Sequence, residues 1–152
     1  MLAIIIGVYA GLAVVCFRIS IEGLRWVFFG SALAPPLQRV ILVPAAAGLV
    51  IAFLVIHLFP RVRGSGVNQT KAALYIYNGY IPASTVAGKF LTSALAISSG
   101  QSLGPEDPSL QIGAGLASAI GRRLRLSRDN LRMIAPIGAA AGLAAAFNTP
   151  IT

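Results

Sequence analysis

The chain has 152 residues, 57% of them hydrophobic and only 11% charged, yet twelve Lys and Arg against four Asp and Glu leave it at +8. So apolar a chain buries surface readily, which excludes disorder, and a soluble nucleic-acid binder would spread such a charge over a far more polar surface. One Cys (Cys16), one His (His57) and four acids leave no disulfide framework, no metal-ligand cluster and no nucleophile–base pair, so neither enzymatic chemistry nor a cofactor is expected.

Residues 1–17 contain no charged side chain and open on Met-Leu-Ala-Ile-Ile-Ile without a basic leader. That fits a spanning helix entered at once rather than a secretory signal. A spanning helix needs about 20 apolar residues. The first tract reaches this length by running past Arg18 toward Phe29, and residues 40–60 meet it unaided. Residues 72–88 are interrupted by Asn78-Gly79 and Pro82, and residues 108–121 are too short to cross alone. Short, Gly/Pro-interrupted segments point to broken helices that end inside the membrane, where only protein or a water-filled cavity tolerates free backbone groups. The alternative is a set of long interfacial connections. Residues 133–152 are long enough to cross, contain Pro136, and run into Asn148-Thr149-Pro150.

The basic residues lie between these tracts. Arg61, Arg63 and Lys71 follow the second tract, and Arg122, Arg123, Arg125, Arg128 and Arg132 follow the short one. An excess of Lys and Arg marks cytoplasmic segments, which assigns residues 61–71 and 122–132 to the cytoplasm and the segment from Arg25 to Arg39 to the outside. The net charge then reads as membrane topology, with no nucleic-acid partner. Tyr75, Tyr77 and Tyr80 are placed as interfacial aromatics. Gly7-x-x-x-Gly11 and Gly138-x-x-x-Gly142 each set two glycines on one helix face, a pattern that allows close helix packing in lipid.

Two breaks carry chemistry. Gly64-Ser65-Gly66-Val67-Asn68 precedes a helix expected over residues 67–77. A helix N-terminus presents free N–H donors and about half a positive charge, which makes it an anion site. Ser65 adds a hydroxyl donor without a fixed charge, suiting an ion that must bind and leave; the alternative is a plain Gly-Ser-Gly turn. The second break runs from Gly100 to Gly113. Pro108 suits a first turn and Asp107 an N-cap, so a helix is expected over residues 107–123. Glu106 stands just before it. Either it caps the helix at a wet loop with Asp107, or it occupies an anion site as a tethered competitor, since a carboxylate at membrane depth normally has a purpose or a partner.

Gly64-Ser65-Gly66-Val67, then Gly88-Lys89-Phe90, then Gly104-x-Glu106-x-Pro108-x-x-Gln111-Ile112-Gly113, then the Ala/Gly-rich run from Ala139 to Asn148-Thr149-Pro150, together resemble the CLC chloride channel and chloride/proton antiporter family. The resemblance implies an all-α polytopic membrane protein of tilted and re-entrant helices. Residues 1–152 would form part of the first inverted-repeat half. It implies chloride transport, passive or coupled to protons, in a plasma or bacterial inner membrane, by a homodimer whose subunits each hold a pore. Fluoride or nitrate transport, or a fragment that does not transport, are the alternatives. Ser65, in the segment Gly64, Ser65, Gly66 and Val67, matches the serine that helps hold the central anion. Glu106 matches the gating glutamate within the second filter segment of Gly104, Pro105, Glu106, Asp107 and Pro108. Lys89 matches a lysine that supplies positive potential near the pathway. Asn68 stands where the family usually has Pro, Pro105 where it has Arg or Lys, and Asp107 where it has Gly. Asp107 therefore either turns away as an N-cap or lowers anion affinity. The third filter segment, its tyrosine and the inner proton-transfer glutamate are expected beyond Thr152.

Overall fold

A computed structural model describes residues 1–30 and 35–149. Pro150 of the last motif, and residues 31–34 of the segment expected outside, lie beyond the described residues. Those described form six α-helices and no strand, as the apolar tracts require: α1 Leu2–Phe29, α2 Leu37–Phe53, α3 Gly66–Tyr75, α4 Ala83–Ser98, α5 Glu106–Arg123 and α6 Arg128–Phe147. A π-helical turn, Leu54–Leu58, prolongs α2, and a short 3-10 turn, Pro60–Val62, follows it. Three helices, Leu2–Phe29, Leu37–Leu58 and Arg128–Phe147, are long and apolar enough to cross a membrane. With 10 residues, α3 is far shorter than the roughly 20 that crossing needs.

Helix α1 shows the division between core and surroundings. Ile6, Ala10, Val14 and Phe17 recur at helical spacing and are buried. Phe17 meets the ring of Phe90 edge-on at 5.2 Å. The opposite face carries Ile4, Val8, Leu12, Val15 and Ile19, all exposed. On α2 only Ala47 is buried. Large aliphatic side chains on an outer face are unfavourable in water and suited to lipid.

The centre is built from smaller and more polar residues. Helix α5 buries Ser109, Gln111, Gly113, Ala114, Gly115, Ala117 and Ser118 along most of its length. Missing side chains let α6 lie against it. A Cβ on Gly113 would strike the Gly138 carbonyl, one on Gly138 would strike that of Gly113, and one on Gly142 would strike that of Ser109. The Gly138/Gly142 pair is therefore a true close-packing motif. At the Gly7/Gly11 pair no such approach is seen: among the described residues a Cβ at either position meets nothing within 4 Å. Pro136 does not end α6, which continues to Phe147 and closes on left-handed Asn148 (φ 55°).

Helices α3 and α5 run parallel with their N-termini together. At one end Gly66 N–H reaches Asp107. At the other, Ser118 Oγ donates to the Gly79 carbonyl at 2.7 Å and accepts from Ile81 N–H at 3.1 Å. Arg122 donates to the Ile81 carbonyl at 3.3 Å and lies 4.5 Å above the Tyr80 ring. Gly79 is needed in this turn because its φ of 76° is left-handed and a Cβ would fall 2.8 Å from the Leu131 backbone.

Gly113→Ala tests the close crossing of α5 and α6. Helix propensity alone favours Ala over Gly by roughly 1 kcal/mol. Overpacking against the Gly138 carbonyl reverses the sign and destabilises by about 1–3 kcal/mol. Thermal unfolding in detergent is expected to show a lower Tm for this variant and no such loss for Gly23→Ala, where a Cβ has nothing within 4 Å.

Candidate anion-binding site

Gly64 begins the turn into α3 with a left-handed φ of 88°. Ser65 then takes the extended N-cap conformation and its Oγ accepts weakly from Asn68 N–H at 3.5 Å. The helix starts at Gly66 and ends at Tyr75, one residue earlier at its start and two at its end than the sequence reading. The amides of Gly66 and Val67 point away from the helix, as the first N–H groups of any α-helix do.

One carboxylate takes those donors, that of Asp107. Its Oδ2 accepts from Gly66 N–H at 2.7 Å. Its Oδ1 accepts from Ser65 Oγ at 2.7 Å and from Val67 N–H at 3.1 Å. Lys89, on α4 and only 6% exposed, brings its Nζ to 3.3 Å from Oδ2 and donates to the Gly64 carbonyl at 2.9 Å. The backbone of Gly64 thus serves as an acceptor for lysine, while the donors aimed at the carboxylate come from the next three residues.

Two glycines permit this assembly. A Cβ on Gly66 would stand 2.8 Å from both the Asp107 carbonyl and Gln111 Oε1, so α5 approaches closely only because Gly66 has none. A Cβ on Gly88 would press into Phe59 and Val62 at 2.6–2.7 Å. Its absence lets the turn before Gly64 lie against α4 beside Lys89, which accounts for Gly88-Lys89 as a unit.

The placement of Asp107 corrects its expected role as N-cap of α5. Helix α5 begins at Glu106, with Pro105 in the cap position and no side-chain cap bond. Asp107 lies in the first turn and caps α3 instead. The reason is competition among donors: two amides, a hydroxyl and a buried ammonium outweigh the few amides its own helix offers. It does not turn away from the donors at the start of α3; it takes them.

Glu106 is placed differently. It is half-buried, and its carboxylate folds back over Gly104, so that a Cβ there would collide with it. It makes no hydrogen bond to Ser65, Gly66 or Val67 among the described residues. The structure therefore brings together Ser65, Gly66, Val67, Lys89 and Asp107. Gly104, Pro105 and Glu106 form an adjoining group at the mouth of α5, and Pro108 is buried behind it.

Sequence reasoning missed a pair of amides beside the site. Gln111 Nε2 donates to Gln69 Oε1 at 2.7 Å, and Gln69 donates in turn to the Arg63 carbonyl. Gln111 Oε1 is buried without a hydrogen-bond partner among the described residues. The available signal was spacing: Gln111 lies four residues after Asp107, hence on the same helix face. Both amides border a cavity of about 560 Å³, with Arg61, Tyr77, Tyr80 and Thr85 on its walls.

Electrostatically, the site gathers two helix N-termini, each worth about half a positive charge, and one ammonium. Its donors are fixed by backbone and by short side chains. Such an arrangement suits an anion of about −1.

Comparison with known proteins gives a consistent picture. The family model described as voltage gated chloride channel matches residues 47–152. A ClcB-like chloride channel protein of Ralstonia nicotianae is 31% identical over 164 aligned positions, which cover 99% of this chain and 38% of that protein. The H(+)/Cl(-) exchange transporter ClcA of Vibrio vulnificus is 32% identical over 157 positions, covering 99% of this chain and 34% of the transporter. Chloride channel protein CLC-f of Arabidopsis thaliana is 26% identical over 161 positions, covering 97% of this chain and 20% of the channel. The chain spans 20–38% of the length of these relatives.

The pair of Lys89 and Asp107 is open to a double-mutant cycle. Lys89→Met, Asp107→Asn and the double variant are expected to show a coupling of about 0.5–3 kcal/mol in unfolding free energy. Additive losses would mean that the two charges do not sense each other.

Proposed function

This chain belongs to the voltage gated chloride channel family, and from that premise we propose that it contributes the central anion site of a protein that moves chloride across a membrane. The observation that carries the reading is the convergence of Ser65 Oγ, Gly66 N–H and Val67 N–H on one negatively charged group, with Lys89 3.3 Å from it. The Asp107 carboxylate stands where a monovalent anion would be held. Chloride entering a membrane loses hydration, and oriented N–H and O–H groups replace that hydration without the grip of a contact cation. Lys89 raises the potential of the site while its own proton contact goes to Gly64.

Glu106 is the gating carboxylate in this reading. It stands at the mouth of α5, one residue before the Asp107 carboxylate that takes those donors. Passive permeation and exchange against protons both fit such a gate, and the relatives include proteins named for each. No bond to the anion is made or broken, so no enzymatic step is involved.

The topology follows from charge. Arg61 lines the same cavity as Tyr80, and Arg122 stacks on Tyr80. An excess of Lys and Arg marks cytoplasmic segments, and both basic groups carry one. Residues 61–71 and 122–132 face the cytoplasm, and the segment between α1 and α2 faces outward, in a plasma or bacterial inner membrane. The exposed apolar faces of α1 and α2 suit lipid or a second subunit of a homodimer.

The test is flux and binding by the protein in its full reading frame. Reconstituted in liposomes, it is expected to release chloride faster than empty vesicles. Ser65→Ala removes one donor and is expected to weaken calorimetric chloride affinity by about two- to tenfold. Glu106→Gln is expected to change the pH dependence of flux. Unaltered affinity in the first variant removes Ser65 from the site, and an unaltered pH response in the second removes the gating role.

A further inference from the structure

We infer that Asp107 is a built-in anion: its carboxylate occupies the Ser65–Val67 site and must swing out before a dissolved anion can bind there. The inference rests on the anion-site reading above and assigns to Asp107 the competition that the sequence suggested for Glu106.

The hydrogen-bond inventory carries it. Asp107 uses Ser65 Oγ, Gly66 N–H and Val67 N–H together, Oδ1 accepting from Ser65 and Val67 and Oδ2 from Gly66. These are the donors a mobile anion needs, and a second negative charge beside an ionised carboxylate is repelled. Glu106 reaches none of them and folds over Gly104. Binding at this site is thus an exchange, one anion for another, with the charge around Lys89 kept balanced throughout.

The exchange has a route. The Asp107 side chain is 36% exposed, whereas that of Lys89 is 8% exposed, so the carboxylate sits on the open side and the ammonium on the closed side. The N-terminus of α5 carries no side-chain cap of its own. A rotation about the Asp107 side chain exchanges the amides of α3 for those of α5 or for water, which gives the carboxylate somewhere to go. A glycine at this position would leave the donors permanently open. Asp107 converts an open site into one whose occupancy depends on displacing an internal competitor.

The experiment uses Asp107→Gly and Asp107→Asn in the full reading frame. Chloride binding is measured by calorimetry and by Tm against chloride concentration, with isethionate holding ionic strength constant. Both variants are expected to bind chloride about tenfold or more tightly than the parent, since a competing charge has gone. Their Tm is expected to climb with chloride more steeply than the parent's, because the ion takes the place of the lost carboxylate. Equal or weaker affinity in both variants, with a Tm that chloride fails to restore, overturns the inference and leaves Asp107 a structural clamp. Where Asp107→Gly does not fold, Asp107→Asn carries the test, as it keeps the side-chain volume and one acceptor oxygen. Adding Ser65→Ala to each background separates the two readings. Chloride binding that ignores Ser65→Ala everywhere sinks the anion site itself, whereas Ser65-dependent binding that the Asp107 variants leave unchanged sinks the competitor alone.

Discussion

Two parallel helices that begin at the same point cannot leave their positive ends unmatched. Helices α3 and α5 both start beside Asp107, each N-terminus carries about half a positive charge, and Lys89 adds a full one from α4. In a low-dielectric interior such a focus of charge costs dearly unless an anion neutralises it. Much of the fold serves to hold that focus together. Gly66 admits α5, and Gly88 admits the turn before Gly64. Ser118 and Arg122 tie the far end of the α3–α4 connection to α5, which keeps the two helices parallel. Gly113, Gly138 and Gly142 hold α6 against the back of α5.

The same geometry explains an inverted distribution of residues. The buried helix, α5, is small and polar, and the outer helices are rich in Ile, Leu and Val on exposed faces. Lipid outside removes the need to hide aliphatic side chains, and burial inside is achieved by contact between backbones rather than by bulk. Polar groups at the centre are then satisfied by one another, as in the pairing of Gln111 with Gln69 and of Ser118 with Gly79. The site lies at the edge of this polar interior, with its donors fixed by backbone and short side chains and Asp107 on the open side.

What could be read in the sequence was whatever depended on neighbours along the chain. The spans of α1, α2 and α6 and the breaks after Arg63 and before Pro108 all follow from local composition and spacing. The Gly-Ser-Gly turn showed its donors for the same reason. What could not be read depended on groups far apart. Asp107 scores well as a cap for its own helix, but its strongest donors lie forty and more positions earlier, on Ser65, Gly66 and Val67. Gly7 and Gly11 carry the same pattern as Gly138 and Gly142, and among the described residues a Cβ on either meets nothing within 4 Å. The pattern states that a helix can be approached, and only the fold decides whether it is. The role of Gln69 was hidden similarly, since its partner Gln111 belongs to another helix.

The central claim is that the first turn of α3 is a place where an anion rests. Anomalous diffraction from crystals of the Asp107→Gly protein grown in bromide tests it most directly. A bromide peak within hydrogen-bonding reach of Ser65 Oγ and the amides of Gly66 and Val67, next to the Lys89 ammonium, is the predicted result. Bromide elsewhere in the molecule and none at that turn would contradict it.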